Sequence, residues 1–475
     1  MDKEKSAKAG SAAKATKATK AAKAAEEILK RRKARKDLYG FMKYCVPNFK
    51  EGKHFNEICD ALMDVAQGKC KKLMISCPPR FGKSESVLNF VAWFMANNPN
   101  KRCVIASHSE NLAIEQGRRC KRICQSDEFN RLYPNSMNNT LKTADKEFEL
   151  CNRSGLYCVG VGGSLVGRGY EIGIIDDYCK GRQEANSEAD NRKVDDWYKS
   201  VFYTRQTPTA AIVIIATRWS QKDLISTIIK REEKEWRIIN LPALNKEGES
   251  NWPEHFPTKI LQDKKNTIGS FEWSAQYMGE PTVREGNIFN CTRLNRNTLN
   301  EFPTCKYIRC WDLASTLAQR NKNDPDYTVG VLGAVKKVNG IEHLWIKDIV
   351  YGQLEAPKRN ELIKNTAFKD GQGVTQYIES FAAYKDAFNI LKQQFFGKCM
   401  IKESRIKGDK LIKAAPLEPI FEYGNVHILS GANWEEFFLK HFKEFPSGNH
   451  DDCVDATSMV WHEYKKNRGG IVIRL

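Results

Sequence analysis

The sequence predicts an α/β protein built as two successive helix-covered sheets. In residues 37–245 the apolar strand candidates Lys72–Ser76, Arg102–Ser107, Glu171–Asp176, Ala211–Thr217 and Trp236–Leu241 recur with helical patterns between them. That alternation is the pattern of a mostly parallel sheet. In residues 301–467 three strand candidates come first, Tyr307–Trp311, Thr328–Ala334 and His343–Val350, with spacing that suits hairpins. Length is the third observation: 475 residues exceed what one ordinary core holds.

The elements follow in order. Residues 1–36 hold 13 Lys/Arg against 4 Asp/Glu, a net of +9, half of the chain's +18. Rich in Ala and Lys and without an apolar stripe, this tail is expected to be disordered or a solvated helix. It serves either solubility or contact with DNA or an acidic partner. Between 246 and 300, Pro, Gly and charges mix with aromatics and predict a subdomain or linker. Beyond the three strands come helix Ala356–Lys369, strand Thr375–Ile378, helix Tyr384–Phe396 and strand Lys398–Lys402, and a last helix carries Val454–Tyr464. Three strands followed by alternating helices and strands is the layout of a ribonuclease H-like α/β domain. Residues 468–475, apolar and basic, read as a frayed terminus or a docking peptide.

Composition narrows the functional classes. Hydrophobic content of 41% and charged content of 28% fit a globular protein. No apolar run is long enough to span a bilayer and the N-terminus lacks a signal-peptide apolar stretch, which predicts an intracellular protein without membrane contact. Fifteen cysteines are scattered without a C-x-x-C pair and are expected as reduced thiols. The eight histidines do not cluster with them, which argues against zinc.

The first block contains the ingredients of a nucleotide site. Leu73–Ser76 reads as a buried strand, Cys77 to Gly82 as a tight loop, and Lys83-Ser84 as a helix start. A phosphate-binding loop needs N–H groups converging at a helix N-terminus, a lysine for the β/γ-phosphates and a hydroxyl for Mg²⁺. Gly82, Lys83 and Ser84 supply the end of that pattern, and Cys77 stands where its first glycine is usual. Alone the triplet is a weak sign. Glu171 to Asp177 is an apolar strand ending in two acids: Asp176 is the candidate for the Mg²⁺ shell and Asp177 for orienting the attacking water. A third strand ends in Thr217-Arg218, and in parallel sheets ligands bind beyond the strands' carboxyl ends. Arg80 in the loop and Arg168 in a glycine-rich stretch are candidate phosphate cations.

The order of Pro-Pro-Arg-Phe-Gly-Lys-Ser-Glu, Gly167-Arg168-Gly169, Ile174-Ile175-Asp176-Asp177, Ala185-Asn186-Ser187-Glu188, Asp196-Trp197-Tyr198 and Ala216-Thr217-Arg218-Trp219 resembles the large terminase subunit of tailed double-stranded-DNA bacteriophages. The resemblance covers roughly residues 37–465. It implies that Lys83, Ser84 and the two acids hydrolyse ATP, that the Thr217-Arg218 strand end couples hydrolysis to movement, and that Arg168 reaches into a neighbouring subunit. Many members carry Glu where this chain has Asp177, so a shorter arm must reach the water. The adenine-contacting segment falls near Phe49–Phe55.

Further on stand three acidic stations: Asp312 and Glu379 at strand ends, and Asp451-Asp452 with Asp455 at a helix start. Two-metal phosphodiester hydrolysis needs carboxylates that hold two ions astride the phosphate. Asp452 and Asp455 share a helical face while Asp451 points elsewhere; the bland reading of the pair is a helix cap. The resemblance implies a ribonuclease H-like nuclease with Asp312, Glu379 and one of Asp451 or Asp452 as ligands of Mg²⁺ or Mn²⁺. Lys407 and Lys410 are candidates to steady phosphates or to lie on a solvated face, and Asp326 is a weaker metal candidate. By the same likeness the chain is an ATP-driven motor that moves duplex DNA into a preformed capsid and cuts the concatemer. It would work as a ring of five on the portal protein with a small terminase subunit. It would be found in the host cytoplasm and transiently on the procapsid, not in the mature virion. A repair or recombination ATPase-nuclease and a catalytically decayed DNA-binding scaffold are the alternatives.

Overall fold

The computed structural model describes residues 20–137, 142–282, 288–314, 325–379, 385–395, 397–406 and 409–468. Residues 1–19, Lys407 and the C-terminal tail from Gly469 lie outside the described residues. The chain forms two compact units, Met1–Lys264 with Phe271–Val283, and Lys265–Ser270 with Arg284–Leu475. The segment 246–300 is thus shared between them. All fifteen cysteines are free thiols. No helix among the described residues is long and apolar enough to cross a membrane.

In the first unit seven strands form one sheet: β1 (Lys72–Ser76), β2 (Arg102–Ser107), β3 (Glu147–Glu149), β4 (Gly155–Gly160), β5 (Tyr170–Asp176), β6 (Gln206–Ala216) and β7 (Arg237–Asn240). Their order is β3-β4-β2-β5-β6-β1-β7, and only the β3–β4 pair is antiparallel. Ser76 pairs with Ala216 and Asp176 with Ile215, so β5, β6 and β1 end side by side. The central strands are buried almost throughout, which explains their continuous Val/Ile runs. One face packs Met74, Val104, Ile212 and Ile214 against Trp197, Phe202 and Ile225. Helices Lys83–Asn97 and Glu110–Gln125 follow β1 and β2. The second begins at Ser109, whose Oγ accepts the Leu112 N–H.

The second unit has a mixed sheet: β8 (Asn295–Asn297), β9 (Ile308–Asp312), β10 (Thr328–Val338), β11 (Ile341–Gly352), β12 (Thr375–Glu379), β13 (Ile401–Ser404) and β14 (Val426–Leu429). Its order is β13-β12-β9-β10-β11-β14-β8, with β9, β10 and β11 antiparallel and the remaining pairs parallel. Asn339 and Gly340, both at positive φ, close the β10–β11 hairpin. Ile378 pairs with Trp311, so the next residues, Glu379 and Asp312, end adjacent strands. Helix Asp452–Arg468 packs on β9 and β10, burying Val454 and Val460. A Cβ on Gly330 would lie 2.5 Å from the Trp311 ring, so β10 needs glycine where it passes that indole.

Candidate active sites

The loop from Cys77 to Gly82 leaves the end of β1 and delivers the chain to the helix Lys83–Asn97. Arg80 and Gly82 take positive φ, 67° and 79°. A side chain at Gly82 would be excluded twice, by that backbone and by the Phe55 ring 2.6 Å from its Cβ position. Aromatics clamp the loop from outside: Phe81 stacks on Phe256 at 5.1 Å, and its carbonyl accepts the Nε2–H of buried His54 at 3.1 Å. Cys77 is inert, since burial pushes its thiol up to about 12.

Lys83 opens the helix, nearly buried, with Nζ 3.2 Å from Asp177 Oδ2. Burial works against its charge, but Asp177 and Asp176 outweigh that and hold its pKa above the ordinary lysine value. Asp177 has φ of 49°, a strained conformation outside glycine; its other oxygen accepts the Thr217 N–H at 3.3 Å. Asp176 is 1% exposed. Gln116 Nε2 donates to its Oδ2 at 2.7 Å, and Gln116 Oε1 accepts from Ser107 Oγ at 3.0 Å. Asp176 Oδ1 is buried with no hydrogen-bond partner among the described residues. Burial first, then the Asp177 charge, raises its pKa to about 7, and the Ser84 hydroxyl opposes that rise. An orphaned carboxylate oxygen beside a hydroxyl is an all-oxygen donor set, which fits Mg²⁺. Lys83, Ser84, Asp177 and Thr217 line a cavity of about 580 Å³ with Arg80, Arg119 and Lys180.

Two expected ligands stand elsewhere. Arg218 Nε pairs with Asp223 Oδ2 at 2.9 Å and its Nη2 with Ser226 Oγ at 2.5 Å, so the structure does not bring this guanidinium to the nucleotide cavity. Its position at a strand end was legible, but its direction is set by a buried acid five residues on. Arg168 lies over the Tyr157 ring at 4.2 Å and 3.3 Å from Glu147, in a separate hollow lined by Arg102 and Lys142. Conversely, sequence reasoning missed Gln116 and Arg119. Leu112, Gln116 and Arg119 recur at i, i+4 and i+7 on the helix after β2, a one-face signal that was present.

Gln116→Leu keeps the volume and removes the bond to Asp176 together with the Ser107 bond that orients the amide. The expected result is a Mg²⁺ requirement for ATP turnover raised about tenfold or more with the ATP KM little changed. Titrating Mg²⁺ at saturating ATP checks it; an unaltered Mg²⁺ profile would rule out a positioning role.

The acidic cluster sits where β9, β12 and the last helix meet. Asp312 and Glu379 end adjacent strands and share a hydrogen bond. Burial raises the Asp312 pKa well above the usual carboxylate range, and Glu379, Asp455 and Asp452 add to it in that order. Lys413 Nζ lies 3.0 Å from Glu379 Oε1; although half-buried, it is held charged by Glu379, Asp455 and Asp312. Asp455 is raised to about 7, chiefly by burial. Asp452 was the expected catalytic acid, but it accepts the Tyr327 N–H and feels Asp326 and Asp451, with His450 Nδ1 3.8 Å away. The Asp451 carbonyl accepts from Val454 and Asp455, so the helix starts there, and Asp455 acts on Asp312 more strongly than Asp452 does. Asp451 pairs with Lys410 at 3.0 Å.

Among the described residues no three such groups converge tightly enough to hold an ion; here Lys413 balances the acids. The donor chemistry nonetheless fits a hard divalent cation, because every acid offers oxygen and Asp455 Oδ1 and Asp452 Oδ2 are buried without a hydrogen-bond partner among the described residues. Lys413, one turn after Lys410 on helix Lys410–Ala414, was the residue the sequence did not single out.

No curated protein matches the sequence. It matches the family model described as terminase large subunit, T4likevirus-type, N-terminal, over residues 74–296, and that of the terminase RNaseH-like domain over residues 309–463. The structure is similar to that of a large terminase from a thermophilic bacteriophage, with a TM-score of 0.51 at 10% identity over 84% of this chain and 97% of that one. The same phage protein in complex with ATP-γ-S gives a TM-score of 0.50 at 11% identity with the same coverage. With both family domains in order and each carrying its own polar cluster at the sheet edge, the chain belongs to the terminase large-subunit family.

Proposed function

We propose that this chain hydrolyses ATP to drive duplex DNA into a preformed capsid and cuts the DNA with its second unit. The observation that carries the reading is the coexistence of two chemically complementary clusters. Lys83, Ser84, Asp176 and Asp177 stand beyond the ends of β1 and β5, and Asp312 and Glu379 end the parallel pair β9 and β12, with Asp455 on the last helix acting on them. Lys83 exchanges its Asp177 partner for the β/γ-phosphates, which the N–H groups at the start of helix Lys83–Asn97 also hold. Freed of the lysine, Asp177 orients the attacking water, its short arm offset by the positive-φ backbone that lifts it toward the cavity. Ser84 and Asp176 would hold Mg²⁺, which would supply positive charge against the phosphates. Arg168, half-exposed on a loop with Gly167 at positive φ and outside its own cavity, suits service to a neighbouring copy. A ring, five-fold by family likeness, seated on the portal protein with a small terminase subunit, is the assembly this implies, acting in the host cytoplasm. Arg218 is given a structural role, bracing the strand end through Asp223.

In the second unit Asp312, Glu379 and Asp455 would hold Mg²⁺ or Mn²⁺, which would supply Lewis-acid chemistry for phosphodiester hydrolysis. Lys413 is placed to steady the scissile phosphate once its acids are engaged. The test is cleavage of supercoiled plasmid with Mg²⁺ or Mn²⁺. Wild type is expected to cut; Asp312→Asn and Asp455→Asn are each expected to lose about 10²-fold or more, and Asp452→Asn less than tenfold. Undiminished cutting by Asp312→Asn would place the nuclease elsewhere.

A further inference from the structure

We propose that the exposed stripe Arg32, Lys33 and Lys36 of the N-terminal helix binds duplex-DNA phosphates, a surface separate from both catalytic clusters; this rests on the reading of the chain as one that acts on duplex DNA. Residues 20–36 are helical, yet among them only Ala34 is buried. Two cations of the helix are tied to the protein: Arg31 bonds Glu27 and Tyr44, and Arg35 Nε donates to the Leu132 carbonyl at 2.8 Å. Arg32, Lys33 and Lys36 are exposed and make no ion pair or side-chain hydrogen bond among the described residues.

Six of the seven residues from Lys30 to Lys36 are cationic. Like charges three and four apart repel, by about 0.2–0.5 kcal/mol per pair. Only Glu26 and Glu27 offset them within the helix, each engaged with a single partner cation, Lys30 and Arg31. The helix therefore carries repulsion that a polyanion relieves. Composition distinguishes nucleic acid from an acidic protein. No aromatic residue precedes Tyr39, and Met1, Ile28, Leu29 and Leu38 are the only large apolar side chains before it. Protein interfaces draw their affinity from aromatic and large apolar anchors, whereas phosphate contacts need only cations. Five further lysines in residues 1–19 extend the same chemistry along the sequence.

The experiment measures binding of a duplex oligonucleotide to the full chain by fluorescence anisotropy over a range of NaCl. Arg32→Gln, Lys33→Gln and Lys36→Gln together are expected to reduce the slope of log Kd against log salt by about 2 to 3. The charge-keeping set Arg32→Lys, Lys33→Arg and Lys36→Arg is expected to retain the slope. An equal charge change at exposed Lys230, Lys234 and Lys246 is also expected to leave it in place. ATP turnover without DNA stays unchanged in all three. An unaltered slope in the first variant, as expected if the stripe serves an acidic protein, overturns the proposal. So does an equal loss in the Lys230/Lys234/Lys246 control. If wild type shows no salt-dependent duplex binding, the parent reading fails instead.

Discussion

Lys83→Ala is expected to lower ATP turnover by about 10³-fold while leaving plasmid cleavage intact. The lysine is the cation of the nucleotide cavity that is both buried and aimed at two acids, with Asp177 Oδ2 3.2 Å away. Its loss acts twice. The β/γ-phosphates lose their positive partner, and Asp176 loses a charge that favours its ionised form. Asp176 is already raised to about 7 by burial and by Asp177, and Lys83 opposes that rise. Without it Asp176 shifts further toward its protonated form at neutral pH and becomes a poorer partner for Mg²⁺. Lys83→Arg is expected to fail nearly as badly, because a planar guanidinium does not fit the space of a compact ammonium packed against the strand end. Cleavage is the internal control, since the acid cluster belongs to the other unit. The decisive measurement is kcat for ATP beside nicking of supercoiled plasmid in one preparation. ATP turnover within tenfold of wild type would remove Lys83 from the chemistry; loss of both activities would indicate misfolding.

What the sequence disclosed follows from what is local. Strands β1, β2, β5 and β6 are apolar runs bounded by turn residues, and buried on both faces they read clearly. Strand β4 did not, because Gly155 and Gly160 bracket it and mimic loop punctuation. Strand β8 is Asn-Arg-Asn and β14 contains His427, so their pairing is dictated by neighbours rather than by hydrophobicity. The same division holds at the sites. Lys83, Asp176, Asp312 and Glu379 are visible because strand ends and helix starts fix where they lie. Gln116 and Lys413 gain meaning only when another element folds against them. For Arg218 and Asp452 position along the chain was legible, while the partners that surround their side chains were not. In one case Asp223 captures the guanidinium, and in the other Tyr327 and His450 surround an acid that is itself buried.

Arg309→Met is expected to destabilise the second unit by about 3–5 kcal/mol, the cost of removing one partner from a buried charge network. Arg309 lies on β9 three residues before Asp312 and is 1% exposed. Its Nε and Nη2 donate to the two oxygens of Asp370 at 2.5 and 2.8 Å, Nη2 also reaches Asp348 at 2.7 Å, and Nη1 donates to the Gly330 carbonyl at 2.9 Å. Asp370 ends helix Ala356–Asp370, where the helix dipole disfavours an anion. Without Arg309 it keeps, among the described residues, only the Gln376 Nε2 side-chain donor at 3.1 Å, and Gln376 in turn holds the Trp311 indole N–H at 2.8 Å. One substitution therefore loosens β9, β12 and the helix covering them, the two strands that deliver Asp312 and Glu379. Urea unfolding should show a lower midpoint for this unit, and plasmid cleavage should fall although no acid of the cluster has changed. Arg309→Met combined with Asp370→Leu separates the two explanations for such a loss. If the cost is the stranded Asp370 charge, the double variant regains a large part of the stability, because an apolar pair replaces a buried ionic one and the acid left over, Asp348, is partly exposed to water. If the double variant is as unstable as the single, the network's hydrogen bonds to Gly330 and Asp348 are what position β9. In that case stability and cleavage should be lost together in Asp348→Asn as well.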